Sequence, residues 1–148
     1  MTDYEIRHFA DEEAVASVGE GFLARTLPKA EWTHEAHLAT TTYLLLRHRE
    51  IDLDAKLPGL IRAYNESVGG VNDDAQGYHV TITRAYLHGV RSLLVDTDCS
   101  APLHGLVNAL LDSPTGRRDW PLRFWSRERL FSVEARRGWV EPDLEALP

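Results

Sequence analysis

Apolar residues recur every three or four positions through most of this 148-residue chain, in segments that begin at capping residues and end at glycine or proline. This spacing places apolar side chains along one face of an α-helix, whereas a half-buried strand requires strict alternation. Strand signals are sparse, and neither Asn-Gly nor Asp-Gly marks a hairpin turn. No Pro/Gly/Ser-rich linker separates two domains. We therefore predict an all-α fold, with residues 1–148 forming a single-domain bundle of five or six helices.

The capping and stop signals place the predicted helices approximately. Asp11, Thr33 and Ser100 are suitable N-terminal caps, and Pro102 lies just inside the predicted fifth helix. The predicted spans are residues 12–27, 33–49, 54–69, 78–95 and 100–112, and Ser126 and Ser132 can each cap a short helix before an extended tail. The fourth span begins with β-branched and aromatic residues, so a strand over residues 78–84 is an open alternative.

Composition excludes several classes of function. The chain carries 16 Lys and Arg against 23 Asp and Glu, a net charge of −7, which disfavours non-specific nucleic-acid binding. A single cysteine, Cys99, excludes a disulfide framework and a cysteine-based zinc ribbon. Residues 1–5 are acidic and unlike a signal peptide, and no apolar run is long enough to span a membrane. We expect a cytoplasmic protein whose partner is a small molecule. The chain is acidic except for an arginine-rich C-terminal part, and this separation of charge is compatible with a homodimer.

Two histidines share the apolar face of the second predicted helix. His34 and His37 lie one turn apart, on the arc that Leu38 and Leu45 direct toward the core. Imidazoles at this spacing can bind one metal ion, or one can orient the other. The segment is one residue shorter than the His-Glu-x-x-His zinc-protease motif, which we therefore reject. The alternative is that both histidines are structural and bond to neighbouring backbone groups.

Further polar candidates lie on the third and fourth predicted helices. Asn65 falls on an apolar face, where an unpaired amide would cost about 1–3 kcal/mol, so it needs a partner from the backbone, a ligand or a histidine. Tyr64 adds a hydroxyl beside it, although a core tyrosine with a satisfied hydroxyl is the simpler interpretation. Tyr78 and His79 follow a polar loop, and on a helix His79 would face the core. His79 could instead cap that helix and take no part in chemistry. The remaining histidines have no comparable positional argument: His8, His48, His88 and His104.

The C-terminal part of the sequence is rich in arginine and aromatic residues. Seven arginines lie between residues 117 and 137, interleaved with tryptophan and phenylalanine. These arginines are interpreted mainly as surface residues, some paired with the acidic remainder of the chain. One of them could instead hold a substrate carboxylate or phosphate at the mouth of the bundle.

Several of these motifs resemble a family of small bacterial helical proteins to which no activity is attached. The resemblance covers residues 30 to 148 and rests on Trp32-x-His34-x-x-His37, Tyr64-Asn65, Gly77-Tyr78-His79-x-Thr81-Ile82-Thr83, and the C-terminal Ser126–Phe131, Ala135-Arg136 and Pro142–Leu144 segments. The resemblance implies no catalytic role for any residue of this chain. It agrees with the choice of His34, His37, Asn65 and His79 made from the residues alone.

Three functional hypotheses follow from the sequence. The first is a small enzyme in which His34, His37 and His79 hold a divalent iron, zinc, copper or nickel ion for oxidation, hydration or hydrolysis of a small organic substrate. Asn65, Tyr64 and Tyr78 are then the candidate catalytic or orienting residues. The second is a metal-free enzyme with one histidine as general acid/base. The third is a non-catalytic binding module or partner subunit with structural histidines.

Overall fold

The computed structural model describes residues 5–148, and these residues contain helices and turns but no strand. Five helices of ten or more residues are α1 (Glu12–Ala24), α2 (His34–Arg47), α3 (Leu53–Ser67), α4 (Val80–Val95) and α5 (Leu103–Asp112). Two short helices follow, α6 (Arg127–Leu130) and α7 (Val133–Arg137). The all-α prediction is confirmed. Apart from Glu5, the residues used to exclude a signal peptide lie outside the described part of the chain.

Side-chain caps determine where most of these helices begin. Asp11 and Thr33 accept hydrogen bonds from backbone N–H groups of the first turns of α1 and α2, as predicted. Ser126 and Ser132 do the same for α6 and α7. Each such bond satisfies one of the N–H groups that a helix start otherwise leaves without a partner.

Several predicted boundaries differ from the structure by one to three residues. Helix α3 begins after Asp52, whose carboxylate caps Ala55, so it starts one residue earlier than predicted. Helix α2 ends at Arg47, two residues early, because His48 turns away from helical geometry. Ser100 does not cap α5, since its hydroxyl and N–H both bond to Asp98 in the preceding turn.

The segment that could have been a strand is helical from Val80 onward. His79 has extended backbone angles (φ −129°, ψ 113°) and stands immediately before α4 as its N-cap. The β-branched residues at the start of α4 prefer strands only weakly. Here the segment packs into the core, where Thr81 and Ala85 are fully buried, and this tertiary packing overrides the local preference.

The core consists of two hydrophobic clusters. The larger cluster lies among α1 to α5 and includes Phe22, Leu38 and Tyr64. The smaller cluster is built by Ala85 of α4 with the aromatic residues of the C-terminal part, among them Trp120 and Trp125. Tyr86 packs against both clusters. Helix α2 packs against α1, α4 and α5, which places its first turn near the junction of the two clusters.

No helix of residues 5–148 has the length and apolar character needed to cross a membrane.

Candidate functional site

A cavity of about 200 Å³ lies beside the N-terminal half of α2. Its walls come mainly from α2, α3 and α4, and its apolar lining is Phe22, Trp32, Leu38, Leu57, Ile61 and Ile82. The polar lining is His34, His37, Thr40, Thr41, Thr83, Tyr86 and Arg118. An apolar cavity of about 150 Å³ is large enough to bind benzene. The space therefore suits a molecule slightly larger than benzene, contacted by a few polar groups.

His37 projects into this cavity from α2. Its ring packs against the indole of Trp32, with ring centroids 4.0 Å apart and planes inclined by 34°. Trp32 is in turn stacked on Phe22, at 4.8 Å and 13°, so the imidazole rests on a fixed aromatic wall. Its ring nitrogens make no hydrogen bond that we find within residues 5–148. The position of His37 is therefore set by packing against Trp32, in the wall of the cavity.

The surroundings of His37 favour the neutral imidazole. Burial among protein atoms and, to a smaller extent, the neighbouring His34 lower its pKa to about 4. His37 is nevertheless an exposed residue, since it lines a cavity that solvent can enter. Contact with water lowers the cost of protonating the imidazole and so opposes part of this shift in pKa.

His34 lies one turn earlier and is held by the backbone. Its Nε2 is 2.8 Å from the carbonyl oxygen of Gly116, which requires Nε2–H as the donor and leaves Nδ1 as an acceptor. The imidazole edge packs against the ring of Tyr86, with centroids 5.7 Å apart. Burial lowers the pKa of His34, opposed by the hydrogen bond to Gly116. Both α2 histidines are therefore predominantly neutral at pH 7.

Glu35 is a buried acidic residue between these two histidines in sequence. Only 2% of it is exposed, and its Oε2 accepts a 3.3 Å hydrogen bond from the backbone N–H of Arg7. Its Oε1 lies 3.7 Å from Nη2 of Arg118, an ion pair longer than a hydrogen bond. A buried carboxylate is costly unless it is paired, so this contact favours an Arg118 side chain that stays near the cavity.

Neither Glu35 nor Arg118 is distinguished by the sequence pattern. A glutamate in the first turn of a helix normally interacts favourably with the helix dipole at the surface. Glu35 is buried and accepts a hydrogen bond from the N–H of Arg7, a partner 28 positions away that no local pattern reveals. Arg118 is one of seven arginines in its segment, and nothing in their spacing distinguishes it.

His79, the third predicted metal ligand, lies elsewhere and is fully engaged. Its Nδ1 accepts a 3.1 Å hydrogen bond from the N–H of Ile82, and its Nε2–H donates to the carbonyl of Leu130 at 2.8 Å. Neither nitrogen has a lone pair left for a metal. His79 is 7% exposed and is not among the residues that line the cavity. It joins the start of α4 to the end of α6, which is the capping alternative that the sequence left open.

The structure therefore brings together two of the three predicted metal ligands. Within residues 5–148, no three His, Cys, Asp or Glu side chains are grouped so that they could hold a metal ion. A three-histidine centre is not supported by this arrangement.

The predicted orienting residues are also dispersed. Tyr64 is a buried core residue whose hydroxyl donates to the carbonyl of Leu27 at 2.8 Å. Asn65 donates to the side-chain oxygen of Asn72 at 3.0 Å, so its partner is an amide of the following loop. Asn72 also accepts from the N–H of Tyr78, at 2.9 Å. These contacts order the connection between α3 and α4.

Tyr78 lines a different cleft from the histidines. The guanidinium of Arg62 lies 4.9 Å above its ring, in a cleft between α3 and α4. Burial raises the pKa of the Tyr78 phenol, so it stays protonated at neutral pH. The cleft and the histidine cavity share Leu57 and Thr83 as lining residues, but Tyr78 does not line the cavity.

Of the four remaining histidines, His8, His48 and His88 make surface contacts. His48 lies between Glu20 and Glu50, at 2.7 and 3.1 Å, and these hydrogen bonds raise its pKa. His8 pairs with Asp112, and His88 bonds to the carbonyl of Pro148. His104 is partly buried on α5, and its Nδ1 has no hydrogen-bond partner in the described structure. None of the four lines the cavity.

Comparison with known proteins gives no functional assignment: no family model, curated protein or solved structure matches this chain. This agrees with a resemblance to a family that has no assigned activity.

Proposed function

We propose that this protein is a small enzyme that binds a largely apolar organic molecule in the α2–α3–α4 cavity and uses His37 as its proton carrier. The observation that carries the proposal is the placement of His37. Its imidazole packs against Trp32, the residue lines a cavity of ligand size, and its ring makes no hydrogen bond within the described chain. Because His37 is exposed where it lines the cavity, its ring is accessible to a ligand, whereas both ring nitrogens of His79 are held by backbone hydrogen bonds.

A neutral imidazole is the form that can accept a proton. At pH 7 the lowered pKa of His37 leaves a lone pair on one ring nitrogen and a proton on the other. His37 would take a proton from a C–H or O–H group of the substrate, whose bonding electron pair stays on the substrate. The imidazolium would then return the proton to a second substrate atom. Such a cycle suits an isomerisation or an addition–elimination, and it needs no oxidant or reductant.

The low pKa of His37 also determines when it becomes a strong base. A group with a pKa of about 4 is a weak base in the empty cavity. Negative charge that develops on a bound substrate favours the imidazolium and raises the pKa of the histidine. His37 would therefore be most basic as the transition state is approached, which is the stage at which stabilisation accelerates a reaction.

A metal bound by His34 and His37 alone is a second candidate, since both line the same cavity. The remaining ligands would have to come from the substrate or from water, and His34 would have to bind through Nδ1 because its Nε2–H is donated to Gly116. Metal analysis of the wild type beside His37→Gln tests this candidate. A stoichiometric metal that the variant loses would favour it over the metal-free cycle.

The proposed function can be tested by filling the cavity. Ile61 lines the cavity from α3, whereas its neighbour Leu60 does not, and both are half-buried. We expect NMR screening of benzene-sized compounds to find ligands for the wild type and for Leu60→Trp, but none for Ile61→Trp. The same samples, followed over time, would report which ligands are converted.

Two outcomes would contradict the proposal. Ligands that bind equally well to Ile61→Trp and the wild type would place the binding site elsewhere. Ligands that occupy the cavity but are never converted would favour the non-catalytic binding module. Thermal unfolding of the two tryptophan variants should be compared first, so that a loss of binding is not a loss of folding.

A further inference from the structure

Arg118 stands where the apolar cavity meets a polar cleft. Besides lining the cavity, it lines a second depression formed with residues 5–8, whose surface is predominantly polar. Its side chain is 53% exposed. A molecule in the cavity would therefore have its apolar body among the aromatic and aliphatic side chains and one end near this guanidinium.

Glu35 provides a fixed counter-charge behind Arg118. Its carboxylate is 2% exposed, is anchored by the N–H of Arg7, and lies 3.7 Å from the guanidinium. At that distance the ion pair attracts Arg118 without forming a hydrogen bond of ordinary length. Glu35 is buried, whereas the long side chain of Arg118 is exposed. We therefore assign Glu35 the role of positioning the Arg118 guanidinium.

Apart from Glu35 behind Arg118, the charged group at the cavity wall is a cation. Arg118 is its cationic residue, and none of the residues that line it in the described structure is Asp or Glu. His34 and His37 can offer ring N–H groups as additional donors. A guanidinium presents a planar set of donors that matches the oxygens of a carboxylate or phosphate.

We propose that the substrate is a small oxyanion, a carboxylate or a phosphate ester on an apolar body of about one ring, and that Arg118, positioned by Glu35, binds its charged end. This inference rests on the proposed function, since it concerns the ligand of the same cavity. From the sequence, we expected that one arginine of the C-terminal segment could bind a substrate oxyanion. The inference identifies that arginine as Arg118.

Matched probes test the inference. Benzoate and benzamide have nearly the same size and shape and differ in charge. We expect the wild type to bind benzoate about 10- to 100-fold more tightly than benzamide, the factor that charge-assisted hydrogen bonds provide. Arg118→Gln should lose most of this preference while retaining benzamide binding. Arg123→Gln is the control, because Arg123 is an exposed arginine of the same segment that pairs with Glu145 and does not line the cavity.

Glu35→Gln tests the positioning part. We expect the benzoate-to-benzamide binding ratio to fall severalfold while benzamide affinity stays near the wild-type value. A purely structural part for Glu35 would lower both affinities together or leave the ratio unchanged. Phenyl phosphate, titrated beside benzoate, distinguishes the two oxyanions by its relative affinity.

The possible failures are distinguishable. If both probes bind in the cavity but with equal affinity, or if Arg118→Gln keeps the preference for benzoate, the oxyanion inference is overturned and the proposed function stands. If neither probe binds the wild type even in the millimolar range, or if both bind Ile61→Trp unchanged, the cavity is not the ligand site and both proposals fail.

Discussion

Replacing His37 with glutamine is expected to lower kcat by about 10²- to 10⁴-fold for any compound that the wild type converts, the range typical of losing a general acid/base. Glutamine is polar and of similar length, but it cannot carry a proton between two substrate atoms. Since Trp32 and the other apolar walls are retained, KM should change much less than kcat. Steady-state kinetics with the ligands found by NMR screening measures both.

The control is the same substitution at the other end of α2. His48 lies between Glu20 and Glu50 and does not line the cavity, so His48→Gln should leave kcat within about twofold of the wild type. If the two variants lose activity equally, the effect comes from α2 as a whole and His37 is not the proton carrier. If His37→Gln keeps full activity, the proposed mechanism is wrong.

Replacing His79 with alanine is expected to lower the free energy of unfolding by about 2–4 kcal/mol. The substitution removes the N-cap of α4 and also leaves the carbonyl of Leu130 without its donor in a buried position. The two losses are separable, because asparagine can cap a helix but is too short to replace the imidazole at Leu130. His79→Asn should therefore recover about 1 kcal/mol of the loss, which urea denaturation can resolve.

A chelator distinguishes this structural part from the predicted metal site. If His79 stabilises the fold through two backbone hydrogen bonds, its replacement should cost the same with and without a metal chelator. If His79 were a ligand of a stabilising metal, the chelator would destabilise the wild type and largely remove the difference. A cost of under about 0.5 kcal/mol would contradict the structural assignment altogether.

Local signals predicted the helices better than the site. The caps at Asp11, Thr33, Ser126 and Ser132 are correct because each depends on a contact only three residues along the chain. The shared inward face of His34 and His37 is also a local property, since both lie within one helical turn. These two histidines line the cavity, as the helical spacing indicated.

The position of His79 differs from the helical-face prediction for a specific physical reason. The prediction placed it on a helical face with Thr83 and Tyr86, but an N-cap residue has extended backbone angles and lies outside the helical register. Its direction is therefore not given by the helical wheel. A helix start two residues later than predicted places His79 outside the helix and away from the cavity lining.

The remaining site residues depend on contacts that are distant in sequence. Glu35 bonds to the backbone of Arg7, and Arg118 lines the cavity from a loop between short 3₁₀ turns at 114–116 and 120–123. Asn65 has the hydrogen-bond partner that its position on an apolar face requires, but that partner is Asn72 in a loop and not a histidine. Periodicity indicates which side chains need a partner, but the tertiary fold determines which partner they find.

In the proposed mechanism, His37 is a neutral imidazole in a ligand-binding cavity, and its protonation is coupled to ligand binding. The most direct test is an NMR pH titration of the histidine ring signals, assigned with His37→Gln, without and with benzoate. We predict that His37 in the free protein titrates near pH 4, well below an ordinary histidine, and that bound benzoate moves its pKa upward. A His37 that titrates near its ordinary pKa of about 6.5 and is unaffected by benzoate would contradict the account.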